Sequence, residues 1–172
     1  YNAITMHPTY NNAWLLYGNA NIHLGNLKER QQKFQEAGKM YTEAIKAYLE
    51  VKRLRPDHPD VERNLGVAYR DQGKLQGQRL GNLDASIQSL EAALKYNTQD
   101  FEIYRLIGVA YGIKGMQTGQ LAMHQKAIAN FEKALELNPN HVAILFNLEV
   151  ACMAVGNQAK AQEYHDRWYA IN

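Results

Sequence analysis

The sequence predicts an all-α chain built as a series of antiparallel helix pairs, and three observations carry that prediction. A set of residues recurs in order: Trp14, Gly18, Ala20 and Gly25, then Leu65, Gly66, Ala68, Tyr69 and Gly73, then Ile107, Gly108, Ala110, Tyr111 and Gly115. The spacing agrees between two landmarks. Gly18, Gly66, Gly108 and Glu149 are separated by 48, 42 and 41 residues, and Pro8, Pro56, Thr98 and Pro139 by the same three intervals. Within each interval apolar residues fall three and four apart, the period of an amphipathic helix. Units that repeat in this way bury their apolar faces against their neighbours and leave a long surface open, so function is to be sought in binding.

Each copy divides into two helices. The first carries the small residues just named. The second reads Ala44-Ile45-Lys46-Ala47-Tyr48 to Leu54 and Pro56, then Ser86-Ile87 to Leu94, then Ala127-Ile128 through Phe131, Ala134 and Leu137 to Pro139. Small residues on the facing helices, with Gly66 opposite Ser86 and Gly108 opposite Ala127, are expected to let the two backbones approach closely. Between the helices of the first copy, Leu27, Phe34, Ala37, Tyr41, Ala44 and Tyr48 keep a spacing of three, four or seven, which predicts long helical arms. In the next two copies Gly73, Gly77 and Gly81, and Gly112, Gly115 and Gly119, favour turns, so a short ordered excursion is the alternative to helix there.

These residues resemble the tetratricopeptide repeat, in which a Trp, a Leu-Gly and a Tyr mark one helix and an Ala, an aromatic and a closing Pro mark the next, over about 34 residues. Tyr104, Ile107, Gly108, Tyr111, Ala127, Phe131, Ala134 and Pro139 fill the pattern in the third copy. The resemblance implies a right-handed superhelical solenoid of antiparallel helix pairs, a single array over residues 1–172. Its parts are the tail of a preceding repeat at 1–9 and four repeats at 10–57, 58–99, 100–140 and 141–172. The first three exceed the family length by about 14, 8 and 7 residues, close to whole helical turns, which predicts lengthened hairpins. Four positions depart from the pattern: Asn21 replaces a Tyr, Thr98 a Pro, Glu149 the small Gly of the fourth copy, and Trp168 a small Ala near its end. Ala3-Ile4-Thr5-Met6-His7-Pro8 matches Ala134 to Pro139, so the residues are expected to belong to a longer array.

In the family the first helices line a concave groove. The resemblance places Asn19 and Ile22 of the first copy there, with Arg63, Val67 and Arg70 of the second. Arg105, Val109 and Ile113 come from the third copy, and Phe146, Val150 and Met153 from the fourth. The three arginines offer planar donors for carboxylates or carbonyls, and the apolar residues receive an apolar anchor. Asn19 and Asn64 fit two slots of the clamp that one branch of the family closes on chaperone tails. Leu15, Glu102 and Leu106 occupy slots that need a cation or an amide, so that clamp is not expected.

Composition points the same way. The formal charge is +2 with basic and acidic residues interleaved, as in Lys28-Glu29-Arg30, and no footprint for nucleic acid stands out. The lone Cys152 excludes an internal disulfide and falls on an apolar stripe with Leu145, Leu148 and Val155. The six histidines show no metal-ligand spacing, no nucleophile has a base, and Gly73, Gly77 and Gly81 lack the flanking strand and lysine of a phosphate loop. Neither catalysis, a metal nor a cofactor is expected, and the compartment is not legible. The reading is a noncatalytic scaffold for a protein or peptide, an extended segment or a helix. The alternatives are self-assembly through end faces carrying Trp168 and Tyr169, an accessory region of a larger enzyme or membrane protein, and a helical-repeat RNA binder, against which Asp60 and Glu102 argue.

Overall fold

The structure, a computed structural model, describes residues 11–171, and of Asn11 only the backbone. The expected tail of a preceding repeat, residues 1–9, lies outside the described residues. Among the described residues there are eight helices and no strand. The chain divides at Asn97 and Thr98 into two compact units of two helix pairs each. In the first unit α1 (Asn11–Arg30) pairs with α2 (Phe34–Leu54), and α3 (Val61–Gln78) with α4 (Leu83–Leu94). In the second, α5 (Phe101–Thr118) pairs with α6 (Leu121–Leu137), and α7 (Val142–Ala154) with α8 (Gln158–Tyr169).

Three of the four pairs have at least one lengthened arm. The first pair has arms of 20 and 21 residues and the third has arms of 18 and 17, whereas the fourth, with no insertion, has 13 and 12. Only one arm of the second pair is lengthened, since α3 has 18 residues and α4 has 12. The reason is local. Gly81 takes a φ of 67°, and the Asn82 side chain accepts the Ala85 amide at 3.2 Å, which starts α4 at Leu83. Gly119, at φ 67°, likewise ends α5, its amide reaching the Gly115 carbonyl at 2.8 Å. Gly73, Gly77, Gly112 and Gly115, read from sequence as turn formers, lie inside helices instead.

Gly73, Gly77 and Gly115 serve close approach, and here the expected pairing is corrected. Gly108 does not face Ala127 but the ring of Phe131, to which a Cβ would come within 2.6 Å. Gly112 is the residue near Ala127, and Gly115 lies on the His124 ring. Seven residues forward along α5 therefore meet seven residues back along α6, the register of an antiparallel pair. The first pair obeys the same rule, with Gly18 against Tyr48 and Gly25 against Tyr41. In the second pair Ser86 faces Gly73 and Gly77 and donates its hydroxyl to the Gly73 carbonyl at 2.8 Å, while Gly66 sits beside Tyr96 and Asn97. The insertion moved the partner of Ser86 two turns along the helix.

Two of the departures from the family pattern compensate each other. Glu149 of α7 accepts a hydrogen bond from the Trp168 indole of α8 at 2.6 Å, and its other oxygen lies 3.1 Å from Nδ1 of His165. An acid in a small residue's slot is thus tied to a ring in another small residue's slot. Asn21, standing where a Tyr was expected, is buried and donates to the Tyr17 carbonyl at 2.8 Å. Cys152 is fully buried in the core of the second unit with Leu145 and Leu148, and burial pushes its thiol pKa up.

The glycine contacts separate two roles within one helix. Gly108→Ala should overpack Phe131 and lower stability by about 1–3 kcal/mol, with Phe131→Leu restoring part of the loss. Gly112→Ala, whose Cβ would lie 3.9 Å from Ala127, should raise stability by about 0.5–1 kcal/mol through helix propensity. Urea titration of the three variants measures both signs. A double-mutant cycle between Glu149→Ala and Trp168→Phe should give a favourable coupling of about 1 kcal/mol, and an additive result would show the bond to be idle.

Candidate functional site

Seven of the eleven predicted groove residues line two pockets, four of them in the first unit and three in the second. In the first, Asn19 and Ile22 of α1 and Arg63 and Val67 of α3 line a pocket of about 200 Å³, together with His23, Tyr48 and Asn64. Its surface is mostly apolar, with the amides of Asn19 and Asn64, the His23 ring and the Arg63 side chain set into it. The Tyr48 hydroxyl, on a ring pressed against Gly18, donates to Oδ1 of Asn19 at 2.7 Å, which orients the Asn19 amide and leaves its two N–H donors for other partners. Burial pushes the Tyr48 pKa up to about 12, so the hydroxyl remains a donor throughout the neutral range.

In the second unit Val109 and Ile113 of α5 and Val150 of α7 line a pocket of about 260 Å³. Gly112, Met116, Phe131, Ala151 and Ala154 complete a nearly all-apolar wall, on which His124 and Asn147 are the polar groups. The absence of side chains at Gly112 and the small residues on α7 open the space. Its volume suits one bulky apolar side chain.

The other candidates lie elsewhere. Met153 borders a larger and more open pocket of about 420 Å³ with Glu149, Gln158, Ala161, Gln162 and His165. Phe146, half exposed, meets the Trp168 ring edge-on at a centroid distance of 6.2 Å. The three arginines are held by acids of their own chain: Arg63 by Asp60, Arg70 by Asp71 at 3.2 Å, and Arg105 by both oxygens of Glu102 at 2.7 and 2.6 Å. The Glu102 hydrogen bonds raise the Arg105 pKa. Burial raises the Asp71 carboxyl pKa, and the neighbouring Arg70 pulls it part of the way back. Arg70 and Arg105 line neither pocket.

Phe131 and Tyr48, apolar-stripe positions by sequence, also line a pocket each. His124, one of six histidines without a ligand spacing, lines the second. Its signal was present in the spacing, since His124 precedes Phe131 by seven residues as Gly115 follows Gly108 by seven. Asn147 had no such signal, because its exposure depends on the small neighbours of α7. Among the described residues no three His, Cys, Asp or Glu side chains gather as a metal site, and no helix is long and apolar enough to cross a membrane.

Comparison with known proteins matches this architecture. Two models of the tetratricopeptide repeat match residues 24–79 and 102–141, together more than half of the chain. No curated protein matches it. Among solved structures it is similar to MamA, with 18% identity over 98% of this chain and 82% of that one and a TM-score of 0.61. It is similar to YrrB, described as a TPR protein with an unusual peptide-binding site, with 18% identity over 99% and 91% and a TM-score of 0.55. A third is the first TPR of Spaghetti (RPAP3) bound to the HSP90 peptide SRMEEVD, with 20% identity over 83% and 95% and a TM-score of 0.58. With repeat models matching in both units, and helix pairs that close through their small residues, the chain belongs to the tetratricopeptide repeat family.

Proposed function

We propose that the chain is a noncatalytic scaffold that holds a segment of another polypeptide against the inner helices of its pairs. One observation supports this most directly: in each unit, residues from consecutive first helices, α1 with α3 and α5 with α7, converge on a pocket. The pocket of the first unit presents Asn19 and Asn64 amides, which suit the carbonyls and amides of an extended backbone. The pocket of the second suits an apolar anchor, the kind of contact that carries most of the energy of a peptide interface. YrrB and the RPAP3 domain, two of the similar structures, are described with a peptide-binding site and a bound peptide. The arginines, already neutralised by Asp60, Asp71 and Glu102, support recognition through amides and apolar contact more than through ligand carboxylates.

Self-assembly is the second reading, favoured by Tyr169, Met153 and Ile171, which stand exposed on and beside the last pair. Sedimentation over a range of concentrations separates the two, since a strict monomer removes it.

Selection from a random-peptide display library, followed by fluorescence anisotropy on the recovered peptides, tests the scaffold reading. Val150→Asp, at a half-exposed position on the pocket rim, should weaken binding about tenfold or more, and Asn64→Ala should weaken it severalfold. A library that yields no binder, or binders indifferent to both changes, would overturn the reading.

A further inference from the structure

Packing accounts for two of the three glycines of α5. Gly108 receives the Phe131 ring and Gly115 the His124 ring. Gly112 receives neither, for a Cβ there would find only Ala127, at 3.9 Å. A glycine inside a helix is unfavourable relative to alanine, and no neighbour within the fold demands this one. What Gly112 does is line the apolar pocket of the second unit with bare backbone.

The same pocket carries a polar group that folding leaves unanswered. His124 is only 9% exposed, and among the described residues its side chain has no hydrogen bond, ion pair or ring contact. Its ring rests on Gly115, and neither of its nitrogens is sealed in as Nδ1 of His141 is. A buried polar side chain without a partner is unfavourable unless something else meets it. Asn147, the other polar residue of the wall, is partly buried and likewise has no side-chain hydrogen bond. No acid, lysine or arginine lines the pocket.

We propose that this pocket receives a tyrosine side chain of a partner polypeptide, its ring over Gly112 and its hydroxyl toward His124 and Asn147. The inference rests on the groove reading and names the anchor that the second unit selects. A leucine or phenylalanine would cover His124 and Asn147 without giving either a partner. A charged side chain would give up its hydration to a wall that holds no opposite charge. A phenol is apolar over its ring and both donates and accepts at its tip, so it meets the whole lining. Met116 and Val150 of this lining are 68% and 44% exposed, which leaves the residues on either side of an anchor a surface to cross. That favours a tyrosine within a chain over a free phenol.

The probes are N-acetyltyrosinamide and N-acetylphenylalaninamide, titrated into the whole chain and followed by the methyl NMR signals of Ile113, Met116 and Val150. The tyrosine probe should shift these signals and bind about tenfold more tightly than the phenylalanine probe. His124→Phe keeps a ring on Gly115 and should bring the two probes within about twofold of each other. Gly112→Leu should weaken both about tenfold or more by filling the space, and the comparison of probes on the unaltered chain needs no variant to fold. The peptide acetyl-Ala-Ala-Tyr-Ala-Ala-amide should bind more tightly than the tyrosine probe, and equal affinity would overturn the choice of a polypeptide occupant. Equal affinity of the two probes, or a tyrosine preference that survives His124→Phe, would overturn the proposal. Library peptides that need Val150 but show no preference for tyrosine would overturn this inference alone and leave the groove reading standing.

Discussion

Four large rings of this protein rest on bare backbone. Tyr48 lies on Gly18, Tyr41 on Gly25, Phe131 on Gly108 and His124 on Gly115, each so close that a single methyl group would collide with it. A glycine inside a helix costs about 1 kcal/mol relative to alanine, and the sequence accepts that cost repeatedly. What offsets it is the burial of an aromatic side chain, Tyr41 fully and Tyr48 and Phe131 nearly so, in a socket that no larger residue would leave open. The sockets recur every two turns, about 10 Å apart along the axis, and so fix the register of a long pair at two points.

That constraint explains how the arms tolerate extra length. An insertion near a whole number of turns returns the apolar stripe and the next glycine to the same face, so the added residues find partners already in phase. Where only one arm is lengthened, as in α3, Ser86 is met by Gly73 and Gly77 in place of Gly66, and its hydroxyl closes on the Gly73 carbonyl. The surfaces follow from the same geometry. Tyr48 and Phe131 each lie against a glycine and also line a pocket, so residues that hold the pairs shut also shape those pockets.

Charge is distributed by the same packing. The guanidinium groups along the first helices are spent on Asp60, Asp71 and Glu102, within one turn of each arginine. At the hairpin end of the first unit the acids are spent on Tyr41, Lys28, Arg70 and Arg79. In a chain of nearly balanced composition, folding thus decides which acid each cation meets.

The sequence by itself determined the helical class, the pairing of helices and the phase of the repeats, since a pattern of three and four with a recurring glycine is a property of local geometry. It also marked Asn19 with Ile22, and Val109 with Ile113, for one side of their own helix each, because positions on one helix share a side wherever the helix is placed. Only the tertiary structure decided which residue fills each glycine socket, whether Gly73 and Gly115 bend the chain or receive a side chain, and that Glu149 and Trp168 answer one another across a pair. Those outcomes depend on the register between two helices, and register is set by contacts between residues far apart in the chain, which a local pattern does not contain.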